Sequence, residues 1–259
     1  MFIKNLTLQN FKNHSSRFIE FSPQINCLVG DNGVGKTNIL DALHYLSVGK
    51  SFLGNSDLNN ITENEDFFSI EALIFNENKE DILKIIQNKE SRKTIKKNDK
   101  NYSKIADHIG YLPSVMISPY DQNLISDSSE SRRKFMDAMI SQTDREYLFS
   151  LIHYQKTLQQ RNALLKNFQK SRTFDADSLE IYEEPLIKYG QIIFEKRKKF
   201  IHEIIPILQE YYAIISNQKE EVLISYQSDL EQDFRILLVE NLEKDRILTY
   251  TSKGIHKDD

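Results

Sequence analysis

Residues 29–38 read VGDNGVGKTN and place three of the chain's eight glycines, Gly30, Gly33 and Gly35, within six positions. Gly30 to Thr37 match the pattern G-x-x-x-x-G-K-[ST] in full. Glycines without a Cβ let successive backbone N–H groups turn inward and approach phosphate oxygens closely. The helix that should follow aims its N-terminus at the same anion. Lys36 is placed to reach the β- and γ-phosphates and the Thr37 hydroxyl to ligate Mg²⁺. The ligands implied are therefore ATP and Mg²⁺. The contacts are Gly30, Asp31, Asn32, Gly33, Val34, Gly35, Lys36 and Thr37, with Asn32 either polarising a phosphate oxygen or shaping the loop.

The flanks have the order such a loop needs. Upstream, INCLV reads as a central strand buried on both faces, with Cys27 a buried structural thiol of a reducing compartment. Before it, FIKNLTLQNF and SRFIEFS alternate as half-buried strands. Downstream, TNILDALHYLS carries Ile39, Leu40, Leu43 and Leu46 on one helical face. Residues 67 to about 105 read as antiparallel strands, with turns at Asn76–Asn78 and Asn98–Asn101. From Ser131 to about Asn217 the pattern is helical, in two long stretches joined by KSRTFDADS, which predicts an αα-hairpin. Pro185 and Pro206 are expected to bend or divide the second stretch. VLISYQS then reads as a strand, followed by a helix. The domains expected are a P-loop head lobe over 1–125, a helical arm over 126–218, and the start of a return to the head over 219–259.

The chain has 259 residues, 39% of them hydrophobic, and a net charge of −4. No apolar run approaches the length a bilayer requires, and MFIKNLTLQN lacks the apolar core of a signal peptide, so a cytoplasmic protein is expected. A net negative chain has no global attraction for nucleic acid, so any DNA contact must use local basic patches. One such patch runs from Lys89 to Lys104 and includes Lys93, Lys96 and Lys97; it reads either as a DNA grip or as a solvated edge whose lysines oppose aggregation. Arg132 and Arg133, in SRRK, start a helix and are candidates for a phosphate or partner contact. EKRKKF, residues 195–200, reads as plain helix surface. His256, Asp258 and Asp259 lack the further ligands of a metal site.

Hydrolysis would also need an apolar strand ending in Asp, often followed by Glu. RILLVEN resembles one, but Leu230, Phe234, Leu237 and Leu238 fall on a helical face and no Asp precedes Glu240. In SVMISPYD, Pro119 interrupts the run before Asp121. The second GKS, Gly49–Ser51, has His44 where the first glycine should stand. No catalytic residue is assigned.

GDNGVGKTN has the form typical of the SMC-like branch of ABC ATPases, and LTLQNFKNH with IEFSPQINCLVG resembles the start of those proteins. The block ISPYDQNLISDSSESRRKFMDAMISQTDREYLFSLIHYQKTLQQRNALLK is more specific and resembles the RecF family of bacterial recombination proteins. The terminal GIHKDD is similar to that family's G-P-H-R-D-D, with Ile255 and Lys257 replacing Pro and Arg, while Asn123 stands where the family usually has Leu. The resemblance implies an α/β fold: an ABC-type ATPase head with a β-rich N-terminal lobe and an inserted helical-hairpin arm. It implies an ATP-dependent homodimer that binds DNA at gaps and assists recombinase loading with the mediators RecR and RecO. Family members continue past KDD with the signature motif and Walker B, so the resemblance marks the chain as a fragment or a truncated product. Two rivals remain: a P-loop kinase acting on a small molecule, and a non-hydrolysing scaffold ordered by ATP.

Overall fold

The computed structural model describes residues 1–54 and 56–259, and Tyr120 by its backbone alone. The described residues form two compact units, Met1–Ser118 and Pro119–Asp259. The segment 219–259, expected to begin a return to the head, lies within the second unit.

The first unit is a six-stranded antiparallel sheet with one helix on its inner face. Its strands are β1 (Phe2–Phe11), β2 (His14–Glu20), β3 (Phe67–Asn76), β4 (Lys79–Asn88), β5 (Thr94–Lys97) and β6 (Lys100–Asn101), in the order β2-β1-β3-β4-β5-β6. Period-2 alternation puts Leu6 and Leu8, then Phe68, Ile70, Ala72 and Ile74, then Leu83 and Ile85 on one face. The register sets Leu6 opposite Ala72 and Ala72 opposite Leu83, so these residues stack in rows. Helix α1 (Lys36–Val48) covers the rows with Ile39, Ala42, Tyr45 and Leu46. Phe11, Tyr45 and Phe68 meet edge to face at the centre. The tight turns predicted from the asparagines are present: Glu77 and Asn78 join β3 to β4, and Asn98 and Asp99 join β5 to β6, all four at positive φ.

INCLV is not a strand. Cys27 is exposed rather than buried, and Ile25 and Val29 are 84% and 91% exposed. A strand buried on both faces needs a neighbour along each edge, and among the described residues none forms a ladder with this segment.

The second unit is helical: α2 (Asn123–Ser126), α3 (Ser129–Thr143), α4 (Arg145–Ser171), α5 (Ala176–Ile215), α6 (Phe234–Glu240) and α7 (Leu242–Leu248). Asp144 caps α4 by accepting from Tyr147 N, and Asp175 caps α5 by accepting from Asp177 N. The core is built from Tyr147, Leu151 and Tyr154 of α4, Leu186, Ile193 and Phe194 of α5, and Phe234, Leu237 and Leu238 of α6. Gly190 lets α6 approach: a Cβ there would lie 3.0 Å from a Phe234 ring carbon. RILLVEN is helical, as its periodicity requires, and Glu240 ends α6. The structure departs from the sequence pattern at two points. Pro185 and Pro206 lie inside α5 and do not divide it; Leu179, Leu186, Gly190 and Ile193 seat the turns around Pro185 in the core, so packing holds the helix through the lost hydrogen bond. VLISYQS forms no strand, and its backbone pairing is limited to Gln227 with Asp259.

Candidate functional site

The glycine loop leads directly into α1. Gly33 and Gly35 have φ of 86° and 94°, backbone that residues with a Cβ rarely adopt, and Gly30 has φ of 153°. Gly35 is the N-cap of α1, and its carbonyl accepts from Ile39 N at 3.1 Å. The Lys36 ammonium lies across the loop, donating to Gly30 O and Asp31 O, both at 2.7 Å. Thr37, in the first turn of α1, is exposed beside it. A Cβ built on Gly33 would meet nothing within 4 Å, so the loop faces open space at this residue. The structure therefore gathers a lysine, a hydroxyl and a helix N-terminus around a glycine cradle that suits an oligophosphate.

Two residues missed by sequence reasoning complete this arrangement. Asn13 Nδ2 donates to Gly33 O at 3.1 Å, and His14 Nε2 donates to Gly35 O at 3.2 Å. Beneath them Asp41 of α1 is fully buried and accepts from Lys12 Nζ at 2.6 Å, Ser51 Oγ at 2.7 Å and Phe52 N at 2.7 Å. Ser51 belongs to the second GKS, which forms no second cradle: Gly49 caps the C-terminus of α1 and Ser51 serves Asp41. The motif LQNFKNH was the available signal for Lys12, Asn13 and His14, but nothing local in it points to a loop twenty positions away.

Of the five basic candidates, four are held by partners within their own units. Lys93 is nearly buried and donates to Asp57 at 2.7 Å and Gly49 O at 2.5 Å. Lys97 pairs with Asp81 at 2.9 Å and lies 3.9 Å from the centre of the Tyr111 ring. The Tyr111 hydroxyl, with Lys97 and Asn98, holds the Asp81 carboxyl down to about 2. Arg132 forms a fork with Asp259, at 2.5 and 2.9 Å, and also donates to Leu124 O and Asp127 O. Arg133 donates to Asp258 O. Lys96 alternates with buried Ile95 on β5 and faces Asn101 of β6 in register, and Arg92, Lys100 and Lys104 of the same stretch of chain are exposed.

GIHKDD and EKRKKF meet in the interior of the helical unit. Arg197, read as surface, is 1% exposed. It donates to Asp137 at 2.8 Å, Tyr147 Oη at 3.0 Å, Ile255 O at 2.7 Å and Asp258 at 2.9 Å. Ser228 and Tyr226 donate to the same Asp258 carboxylate. Arg161 is equally buried and bonds Asp245 and Thr251, both at 2.7 Å. A signal was present: Arg197 follows Ile193 and Phe194 at helical spacing, and Arg161 lies between Leu158 and Leu165, so each is a charge on an apolar face.

Residues 5–250 match the model of a family described as an AAA domain. The chain is 48% identical over 260 residues to the DNA replication and repair protein RecF of Flavobacterium johnsoniae, covering all of this chain and 72% of that one. It is 44% identical to RecF of Parabacteroides distasonis, with 70% of that protein covered. Among solved structures it is similar to the recombination mediator protein RecF-ATP of the RecFOR pathway, with a TM-score of 0.93 at 29% identity over 99% of this chain and 71% of that one. A second structure, RecF-ATPrS, gives a TM-score of 0.92 at 29% identity, covering 100% of this chain and 72% of that one.

Proposed function

The chain belongs to the RecF family, and from that membership we propose that it is an ATP-binding DNA replication and repair protein whose nucleotide site is the loop Gly30–Thr37. The observation that carries the reading is the cradle itself: two glycines at left-handed φ, Lys36 across the loop mouth, and α1 beginning at Lys36. The loop N–H groups and the Lys36 ammonium would hold the phosphates, and the exposed Thr37 hydroxyl would take a place on a phosphate-bound Mg²⁺. ATP·Mg²⁺, once bound, supplies a γ-phosphate whose presence or loss the loop can register. The solved relative RecF-ATP supports the identity of the nucleotide.

DNA contact through the β5–β6 hairpin is narrower than the sequence implied. It rests on Lys96 with Arg92, Lys100 and Lys104, because Lys93 and Lys97 are held by Asp57 and Asp81. A role with RecR and RecO in loading a recombinase, and an ATP-dependent homodimer, fit the pathway named for the solved relatives. No helix among the described residues is long and apolar enough to cross a membrane, and a cytoplasmic location fits this role.

Calorimetric titration of the chain with ATP·Mg²⁺ tests the site. Lys36→Ala is expected to weaken binding by about tenfold or more, since hydrogen bonds to charged groups contribute roughly 1.5–3 kcal/mol. Unchanged affinity would remove the loop as the nucleotide site. Gapped-duplex binding with and without ATP·Mg²⁺ then reads whether the nucleotide governs DNA contact.

A further inference from the structure

The turn between β1 and β2 is fixed at its base. Lys12, at φ 55°, donates its N–H to Asn60 O at 2.8 Å and accepts from Thr62 Oγ1 at 2.8 Å. Its ammonium is locked on buried Asp41 at 2.6 Å. Asn13 and His14 therefore leave a rigid support, and both turn onto the glycine loop. Asn13 Oδ1 accepts from Asn38 Nδ2 at 2.8 Å, which orients the amide so that its Nδ2 faces Gly33 O. His14 adds a second donor to Gly35 O, which already accepts from Ile39 N. The approach is so close that a Cβ on Gly35 would lie 2.5 Å from both Asn13 Oδ1 and His14 Nε2.

The consequence follows from peptide geometry. In a trans peptide the C=O of one residue and the N–H of the next point in opposite directions. Holding Gly33 O and Gly35 O toward the turn faces the N–H groups of Val34 and Lys36 away from it. We infer that Asn13 and His14 are positioning residues of the phosphate cradle, locking the Gly33–Val34 and Gly35–Lys36 peptide planes so that both N–H groups meet an oligophosphate. This inference rests on the nucleotide-site reading above. It adds that the two side chains act on the phosphate chain through the loop and not on the nucleoside.

The test compares two probes, ATP·Mg²⁺ and tripolyphosphate·Mg²⁺, titrated into the 259-residue chain. Asn13→Ala and His14→Ala are each expected to weaken both probes by the same factor, roughly three- to tenfold for one lost hydrogen bond. A loss confined to ATP would place these side chains on the nucleoside and overturn the inference. Affinities unchanged for both probes would overturn it as well, while leaving the nucleotide site intact. Wild-type chain that binds neither probe removes the site and the inference together. His14→Gln guards against a turn merely loosened by alanine, because its amide can donate to the same carbonyl. Affinity restored by Gln supports the positioning role, and affinity as weak as that of the alanine variant overturns it.

Discussion

The imidazole of His256 sits between two oxygens, of which the Thr251 carbonyl requires a proton on its Nε2. Its Nδ1 accepts from Tyr154 Oη at 2.8 Å, and its Nε2 donates to the Thr251 carbonyl at 2.9 Å. Burial, with little compensating charge, lowers its pKa from 6.5 to about 4. The unfolded chain therefore binds more protons here than the folded chain between those values. The stabilising contribution is complete above about pH 6.5 and is lost as pH falls toward 4, a change of about 3 kcal/mol. Denaturant unfolding at pH 7 and pH 4.5 should show this loss in the wild type and a shallower one in His256→Gln; equal slopes would contradict it. Residues of this kind differ in how far the sequence discloses them. Gly30 to Thr37 are legible because each role is set by its immediate neighbours. Asn13, His14 and Arg197 are not, because their partners lie 20 or more positions away and only the fold brings them together.

Helices and paired strands were legible because each carries its own periodicity: β1, β3 and β4 alternate, and α4 keeps its apolar stripe over 27 residues. The segments misread were those whose pattern specifies what an element needs and not where a partner lies. Residues 25–29 have the composition of a doubly buried strand, yet Ile25, Cys27 and Val29 lie exposed, as do Val115 and Ile117, 65% and 83% exposed. Apolar extended chain without a ladder partner is a template for pairing with another molecule. Light scattering at rising concentration should detect self-association of the chain, and the double variant Val29→Lys, Ile117→Lys should reduce it. Association unaltered by the two lysines would locate the contact elsewhere. Pro206 shows the opposite limit, since α5 continues past a residue that local rules place at a helix end.

At the scale of the whole molecule, two cores are assembled from separate stretches of chain, one around Leu6, Ile70 and Tyr45, the other around Tyr147, Ile193 and Phe234. Calorimetry is expected to resolve two unfolding transitions, as multi-unit chains commonly show. Arg197→Met would leave the carboxylates of Asp137 and Asp258 without their cation. Breaking a buried pair in this way costs roughly 3–5 kcal/mol, which should lower the helical unit's midpoint by on the order of 10 °C and leave the other midpoint in place. A single transition moved as a whole would show that the units unfold together. The last residues of the described chain are anchored to this helical core: Asp259 is gripped by Arg132 and exchanges both backbone hydrogen bonds with Gln227. A fluorophore joined to the chain after Asp259 by a short linker would therefore tumble with the helical unit, and its anisotropy would report the motion of that unit rather than the wobble of a tail.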